Sequence, residues 1–273
     1  MNLARRDFFC ATACCLLCSG KAVPGNKRPL AVQLYSVRLL AQADLARILN
    51  RVAQLGYQGV EFAGYYGHAA DEIRRMLEEN HLRVAGAHVK LETLLGEELA
   101  GTVGFNREMG NRTLIVPSIP EAYRHTIQGW RDAGRQLKEL AAKLRTSGFT
   151  LGYHNHAHEF ERIGGELPFD AFFDAAGTDI KVQLDVGHAL QGGADPVDVL
   201  RRYRHRIASV HIKDYAPGKG IVEFGEGAMD WRSVFTAILS DRHIEWCISE
   251  EEAQSCRDDH CITGSIRKIR EYL

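Results

Sequence analysis

Two histidines and two acidic residues each end a short strand-like segment in the second half of the chain. They are His154, Asp185, His211 and Glu250, and each is the fifth residue of its segment. If the four strands are parallel neighbours in register, these side chains converge at one end of the sheet. Mixed imidazole and carboxylate ligands suit Mn²⁺, Mg²⁺, Co²⁺ or Zn²⁺. The pattern therefore predicts a divalent-metal site, and an enzyme in which open metal positions accept substrate oxygens.

The ligand from the first of these strands is open to alternatives. Residues 153–160 read Tyr-His-Asn-His-Ala-His-Glu-Phe. Because strand side chains alternate between faces, His154 and His156 point the same way. Register favours His154 as the ligand, while His156 or Glu159 could bind the metal instead or transfer protons.

The elements that must position these residues alternate between strands and helices. The strand-like runs are short and apolar, as expected of strands covered on both faces. They span residues 30–36, 59–64, 83–89, 113–118, 149–156, 180–187, 207–214 and 245–252. Helical periodicity covers residues 44–55, 71–80, 91–109, 130–147, 169–176, 196–203, 231–239 and 262–272. Eight such units in about 245 residues predict an α/β fold, a (β/α)₈ TIM barrel with parallel strands.

A barrel explains why polar residues collect at strand ends, since barrel active sites lie at the carboxyl ends of the strands. Besides the four expected ligands, the ends and their loops carry Glu61, His88, His156, Glu159, His188, Lys213 and Glu226. An open doubly wound sheet is disfavoured, because residues 33–38 after the first strand contain no glycine for a phosphate loop.

Residues 1–27 differ from the rest of the chain. Arg5 and Arg6 precede a short apolar run rich in cysteine, alanine and leucine. This layout predicts an export signal of the twin-arginine type with a short linker, and a periplasmic location. The run is too short for a stable membrane span, and a frayed N-terminal helix is the alternative. Residues 28–273 then form the catalytic barrel domain.

The charge balance argues against nucleic acid or an anionic membrane as a partner. Lys plus Arg number 34 and Asp plus Glu number 35, for a net charge of −1. No basic surface is therefore expected.

Three cysteines follow the N-terminal segment: Cys247, Cys256 and Cys261. Three is too few for a disulfide framework. Cys247 is expected to be a small buried apolar group, and a bridge between Cys256 and Cys261 is left open.

Six motifs resemble the xylose isomerase-like TIM barrel superfamily, described broadly as sugar phosphate isomerases and epimerases. They occupy residues 59–64, 86–88, 153–160, 184–188, 211–214 and 224–227. The resemblance implies a metal held by Glu, Asp, His and Glu at the ends of strands five to eight. It places Asp185, His211 and Glu250 on the last three strands. His154 stands where many relatives have the glutamate, so this ligand departs from the family pattern.

The resemblance implies a metal-dependent isomerase or epimerase that abstracts a proton next to the carbonyl of a keto-sugar. A divalent cation polarises such a carbonyl, and a carboxylate or imidazole takes the proton. The candidate catalytic groups are Glu159, Glu250 and His156. The candidate substrate-binding residues are Glu61, His88, His188, Lys213 and Glu226.

Two alternatives to isomerisation stay open. Elimination beside a 3-keto group uses the same metal and base, so a 3-keto-glycoside lyase or dehydratase is one alternative. A non-catalytic exported sugar-binding protein is the other. Such a protein, derived from an enzyme that lost its activity, should have lost the metal ligands, whereas this chain retains Asp185, His211 and Glu250. The superfamily's DNA-repair endonuclease branch needs a histidine after strand four, where this chain has Pro117 and Ser118. The expected partner is a small carbohydrate, with a homo-oligomer left open.

Overall fold

The protein is an eight-stranded parallel barrel with helices between the strands, which confirms the predicted fold. The computed structural model describes residues 28–256 and 258–273, and the export signal expected over residues 1–27 lies outside the described residues. The strands are β1 (Leu30–Gln33), β2 (Gly59–Phe62), β3 (Arg83–His88), β4 (Thr113–Val116), β5 (Thr150–His154), β6 (Ile180–Asp185), β7 (Ile207–Ile212), β8 (Asp214–Ala216), β9 (Gly220–Val222) and β10 (Trp246–Ser249). The barrel closes in the order β1-β10-β7-β6-β5-β4-β3-β2, and β8 with β9 forms a separate hairpin.

Strand register determines which polar residues meet at the carboxyl end of the barrel. Asp185 pairs with His211 across β6 and β7, and His154 pairs with Gln183 across β5 and β6. All barrel pairings are parallel, so these strand ends lie on one rim.

The helices surround the barrel, and most predicted helices are present with ends shifted by at most three residues. In the described part of the chain they are α1 (Arg38–Ala43), α2 (Leu45–Leu55), α3 (Ala70–Glu79), α4 (Glu98–Met109), α5 (Glu121–Arg124), α6 (Ile127–Thr146), α7 (Pro168–Ala176), α8 (Val186–Gln191), α9 (Pro196–Arg202), α10 (Trp231–Ser240) and α11 (His260–Ile269). The sequence pattern did not predict the short helices α1, α5 and α8.

The single helix predicted over residues 91–109 was wrong. A 3₁₀ turn over Leu91–Leu94 is separated from α4 by an irregular link. Gly96 in that link has a φ of 60°, in the left-handed region that interrupts a helix. Apolar periodicity continues across the link, which explains the wrong prediction.

Helix α2 shows how local signals define an element. The Asp44 carboxylate accepts a hydrogen bond from the Arg47 N–H at 2.9 Å and caps the start. Gly56, with a φ of 91°, ends the helix. Between them one helical face is buried against the core, through Leu45, Ile48, Leu49 and Val52.

The strand predicted over residues 207–214 ends earlier, and Asp214 begins the hairpin instead. Its buried carboxylate accepts hydrogen bonds from the Gly225 N–H at 2.9 Å, the Gly227 N–H at 3.1 Å and the Trp231 indole N–H at 3.1 Å. Because one carboxylate gathers these three donors, the loop after the hairpin folds back onto Asp214.

The cysteines agree with the expectation for a buried Cys247, and they answer the open question about the other pair. Cys247 is free and buried, whereas Cys256 and Cys261 form a disulfide with Cα atoms 5.7 Å apart. None of the helices in the described ranges has the length and apolar character needed to cross a membrane.

Candidate active site

The four predicted metal ligands meet at the carboxyl end of the barrel. His154, Asp185 and His211 lie at the ends of β5, β6 and β7, and Glu250 directly follows β10. Each is buried, and one ligand atom from each lies within 4.8 Å of the others. We call these four residues the mouth cluster.

His211 lies between two carboxylates. Its Nδ1 is 2.8 Å from Glu250 Oε2, and its Nε2 is 2.7 Å from Glu61 Oε2. Burial alone would lower the pKa of His211, but the two carboxylates raise it to about 10. The ring is therefore an imidazolium in this arrangement, and it would have to lose a proton to bind a cation.

Glu61 lies beneath this ring and is fully buried. Burial favours its protonated form, yet His88 and His211 hold the pKa of Glu61 well below its usual range. Its carboxylate also accepts hydrogen bonds from Gln33 at 2.7 Å and Gln183 at 2.6 Å. Glu61 was predicted to bind substrate, but these contacts suit a residue that orients His211.

Gln183, which sequence analysis missed, fixes the tautomer of His154. Its Nε2 donates to Glu61, so its Oε1 is the acceptor for His154 Nδ1 at 3.1 Å and for His88 Nε2 at 2.7 Å. Burial and the neighbouring histidines hold the pKa of His154 well below its usual range. The neutral ring therefore carries its hydrogen on Nδ1 and keeps a free lone pair on Nε2. Gln183 is two residues before Asp185 on the same strand face, a signal that could have identified it.

Asp185 is held in place by its neighbours, and its second carboxylate oxygen has an ion pair but no hydrogen bond. Asn155 accepts from the Asp185 N–H at 2.9 Å and donates to the Asp185 carbonyl at 3.1 Å. Oδ1 accepts from the His188 N–H at 2.8 Å. Oδ2 is buried and makes no hydrogen bond, although the Lys213 ammonium lies 3.0 Å away.

Lys213 is a buried ammonium among carboxylates. Its Nζ lies 3.0 Å from Asp185, 2.9 Å from Glu250 and 2.7 Å from Glu252, and 3.1 Å from His188 Nε2. Burial would lower the pKa of Lys213, but the carboxylates raise it well above its usual value. Lys213 is therefore charged at neutral pH. Glu252 was not predicted as a site residue, although it is the last residue of the strand predicted over residues 245–252; β10 itself ends at Ser249.

A cavity of about 510 Å³ opens beside the mouth cluster. Its charged and imidazole lining residues include His88, His154, His156, Lys213, Glu250 and Glu252. The rest of the lining is largely apolar and includes Tyr35, Tyr65, Val89 and Pro117. The volume suits a small organic ligand held by a few polar groups.

The three candidate catalytic residues are placed differently with respect to this cavity. His156 lines it, and its buried Nδ1 has no hydrogen-bond partner; burial and the nearby His188 lower the pKa of His156 to about 3. Glu250 also lines it, but the carboxylate is engaged with His211 and Lys213. Glu159 is not among the lining residues. Its carboxylate accepts from the Tyr153 hydroxyl at 2.6 Å and the His156 N–H at 2.9 Å.

Glu226, a predicted substrate-binding residue, is exposed on the loop after β9 and does not line the cavity. Its neighbours Gly225 and Gly227 bind Asp214 through their backbone N–H groups, so the motif holds the loop. His188 contacts Lys213 without lining the cavity, whereas His88 and Lys213 do line it.

The mouth cluster fits a divalent cation on its own chemistry. The free Nε2 of His154 and the Oδ2 of Asp185, which makes no hydrogen bond, are donors of the type that such a cation takes. His211 and Glu250 complete a set of two imidazoles and two carboxylates. Lys213 supplies a competing positive charge at the same carboxylates.

Comparison with known proteins agrees with this architecture. The family described as xylose isomerase-like TIM barrel matches residues 49–272. The rhizopine catabolism protein MocC of Rhizobium meliloti is 24% identical over 246 residues, which cover 76% of this chain and 74% of that protein. An inosose dehydratase of Clostridium perfringens is 25% identical over 263 residues, covering 82% of this chain and 87% of that protein.

The fold is also found in solved structures. A sugar phosphate isomerase/epimerase from Parabacteroides distasonis superposes with a TM-score of 0.73 at 22% identity, covering 92% of this chain and 95% of that chain. The family match extends from α2 to the end of α11, over the barrel just described. The protein therefore belongs to the xylose isomerase-like TIM barrel family.

Proposed function

We propose that this protein is a metal-dependent enzyme that removes a proton from the carbon next to a carbonyl group of a keto-sugar or keto-cyclitol. The observation that carries the proposal is the shared cavity. His154 and Glu250 of the mouth cluster, a neutral His156 with an unpartnered nitrogen and a charged Lys213 all line it.

His154, Asp185, His211 and Glu250 are the residues that would hold the metal. A divalent cation at such a site polarises a carbonyl and stabilises the negative charge that develops on its oxygen. Mn²⁺, Mg²⁺, Co²⁺ and Zn²⁺ all accept this mixture of ligands.

His156 is the proposed base. At neutral pH its ring is neutral, and Nδ1 has no hydrogen-bond partner in the protein. Glu250 is less suited to this role, because its carboxylate is already paired with His211 at 2.8 Å and with Lys213 at 2.9 Å.

Lys213 is the proposed donor of positive charge to the reacting oxygens. Lys213 lines the same cavity as His156 and is charged at neutral pH. It can hydrogen-bond a developing oxyanion, or pass a proton to a departing hydroxyl group.

We favour dehydration as the overall reaction. One free base and one ammonium acid in a single cavity supply the two proton transfers that loss of water requires. The relatives named as inosose dehydratases support this choice, since an inosose is a keto-cyclitol. A 3-keto-glycoside lyase would use the same two groups.

Isomerisation or epimerisation is the second candidate. Epimerisation requires proton transfer at two faces of one carbon, and His156 and Glu250 line the cavity from the segments that follow two different strands, β5 and β10. The two outcomes share the first step and differ in the fate of the carbanion.

The test is proton exchange and product analysis by NMR in D₂O, with keto-sugars, 3-keto-glycosides and inososes as substrates. The protein is first stripped with a chelator and then supplied with each of the four metals. We expect exchange of the hydrogen beside the carbonyl, followed by loss of water. His156→Gln should reduce the rate at least about 100-fold. His68→Gln, which changes a half-buried histidine that does not line the cavity, should leave it unchanged.

Several outcomes would contradict the proposal. Epimerised product without dehydration would select the second candidate. Binding of sugar without any exchange, in every metal, would support the non-catalytic sugar-binding alternative. An unchanged rate in His156→Gln would exclude the assigned base.

A further inference from the structure

A second cluster of metal-binding side chains lies at the opposite end of the barrel from the mouth cluster. His205 precedes β7, and Asp241 and His243 precede β10, so all three lie at the amino ends of neighbouring strands. One ligand atom from each lies within 4.8 Å of the others. We call these three residues the base cluster. The proposed function does not involve them.

The spacing of the ligand atoms in the base cluster is that of a coordination shell. The two Nδ1 atoms of His205 and His243 are 3.0 Å apart. Asp241 Oδ1 is 3.0 Å from His243 Nδ1 and 3.7 Å from His205 Nδ1. Donor atoms about 2.1 Å from one tetrahedral ion lie about 3.4 Å from each other. The three observed distances lie on either side of that value.

Asp241 is a fixed carboxylate. It is buried, and it accepts hydrogen bonds from the His205 N–H at 2.9 Å and the His243 N–H at 3.0 Å. The backbone therefore holds Oδ1 of Asp241 close to both rings, 3.0 Å from His243 Nδ1 and 3.7 Å from His205 Nδ1.

His205 is held in an unfavourable backbone conformation at this position. Its φ is 72°, in the left-handed region that few residues other than glycine adopt. That conformation accompanies the bond from its N–H to Asp241 and brings its ring to 4.7 Å from the His243 ring, centroid to centroid. The rings are also accessible, with 63% of the His205 side chain and 40% of the His243 side chain exposed.

The surrounding charge indicates which cations would bind. Arg28 donates to the Asp241 carbonyl at 2.9 Å, and Arg204 donates to the Ser240 carbonyl at 3.0 Å. Positive groups nearby weaken the attraction of Ca²⁺ or Mg²⁺, which depend on carboxylate charge. Metals that form strong bonds to imidazole nitrogen, above all Zn²⁺ and Cu²⁺, are less dependent on that charge.

We propose that His205, Asp241 and His243 form a second metal site, which takes one Zn²⁺ or similar transition-metal ion through two imidazole nitrogens and one carboxylate oxygen. The ion joins the segment before β7 to the segment before β10. A fourth position faces solvent, because both rings are partly exposed.

Zinc binding to the full-length chain, produced without a histidine tag and stripped with a chelator, tests the proposal. Equilibrium dialysis against Zn²⁺ gives the number of ions bound per chain. His205→Asn is the main variant, because asparagine tolerates the left-handed conformation and removes the ring. His81→Asn is the matched control, since His81 is an exposed histidine with a φ of 53°.

We expect His205→Asn and His243→Gln each to bind one ion fewer than the wild type, or to bind it at least about tenfold more weakly. His81→Asn should bind as many ions as the wild type. Equal binding by all four proteins would overturn the proposal, whatever happens at the mouth cluster.

A measurement on the wild-type protein covers the case in which a variant fails to fold. Diethyl pyrocarbonate modifies exposed histidines, and peptide mass spectrometry identifies the modified residues. Zn²⁺ should slow modification of His205 and His243 but leave His81 unaffected. If His205 and His243 are modified at the same rate with and without Zn²⁺, the base cluster is only a hydrogen-bonded group and the proposed site is disproved.

Discussion

The histidines and acids of the active site act in pairs and larger groups, so the meaning of each depends on its contacts. His211 and His154 are both buried histidines at strand ends, yet Glu61 and Glu250 raise the pKa of His211 while burial and neighbouring rings lower that of His154. One ring is therefore a cation and the other a neutral ligand. Residue type and spacing predicted where they lie, and the contacts determine their charge.

Glu159 supplies a pH-dependent contribution to stability. Burial raises the pKa of Glu159 to about 7 in the folded protein, above the value of about 4.3 for an unfolded chain. Between those values the folded state binds more protons than the unfolded state. The contribution is therefore complete below about pH 4 and is lost as the pH rises through about 7.

Glu159→Gln should remove this dependence, because an amide does not titrate in that range. We expect the loss of unfolding free energy between pH 5 and pH 8 to be smaller in the variant by on the order of 2 kcal/mol. Urea unfolding at the two pH values measures it, with Glu161→Gln on the same loop as the exposed control. The same pH-dependent loss in Glu159→Gln and wild type would contradict the assignment.

At the scale of the elements, the loop after the hairpin β8–β9 depends on close packing against Asp214. A methyl group at Gly227 would overlap the Asp214 carboxylate and the Tyr215 carbonyl oxygen. The loop cannot then approach Asp214, which loses the N–H group of Gly227 as a donor. The family-like motif at residues 224–227 thus holds this loop in place through its backbone.

Gly227→Ala should lower the free energy of unfolding by about 1–3 kcal/mol. Gly101→Ala is the matched control, because a methyl group there meets no neighbour within 4 Å and lies within α4. The control should be neutral or more stable by up to about 1 kcal/mol. Thermal or urea unfolding distinguishes the two, and an equally stable Gly227→Ala would show that the loop can move away at little cost.

At the scale of the whole molecule, we propose that the chain is exported through the twin-arginine route. That route carries folded proteins, which suits a barrel whose ligands come from β5, β6, β7 and the end of β10 and exist as a site only after folding. The Cys256–Cys261 disulfide is also compatible with an oxidising compartment.

Replacing Arg5 and Arg6 together with lysine tests the route, because the charge is kept while the arginine pair is lost. In a bacterial host, we expect the wild-type protein in the periplasmic fraction and the variant in the cytoplasm, measured by fractionation and immunoblotting. Arg74 and Arg75 changed together to lysine provide the control. Periplasmic recovery of both variants alike would exclude the twin-arginine pathway.

The sequence by itself determined the barrel and the rim on which its polar residues lie. Strands buried on both faces appear in the sequence as short apolar runs. Because these runs alternate strictly with helices, only a few chain topologies are possible. It also placed His154, Asp185, His211 and Glu250 at strand ends. Parallel register then brings their side chains together at one rim of the barrel. The break at Gly96 and the short helix α8 were not readable, because apolar periodicity neither stops at a link nor marks a single turn.

Only the tertiary structure decided which polar groups contact one another. Gln183 and Asn155 hold His154 and Asp185 from neighbouring strands, and Glu61 reaches His211 across 150 positions of sequence. Such contacts depend on side-chain direction and barrel closure, which no local pattern records. Side-chain direction also explains why His156 and Glu159, only three residues apart, have different surroundings. His156 lines the cavity, whereas Glu159 contacts Tyr153.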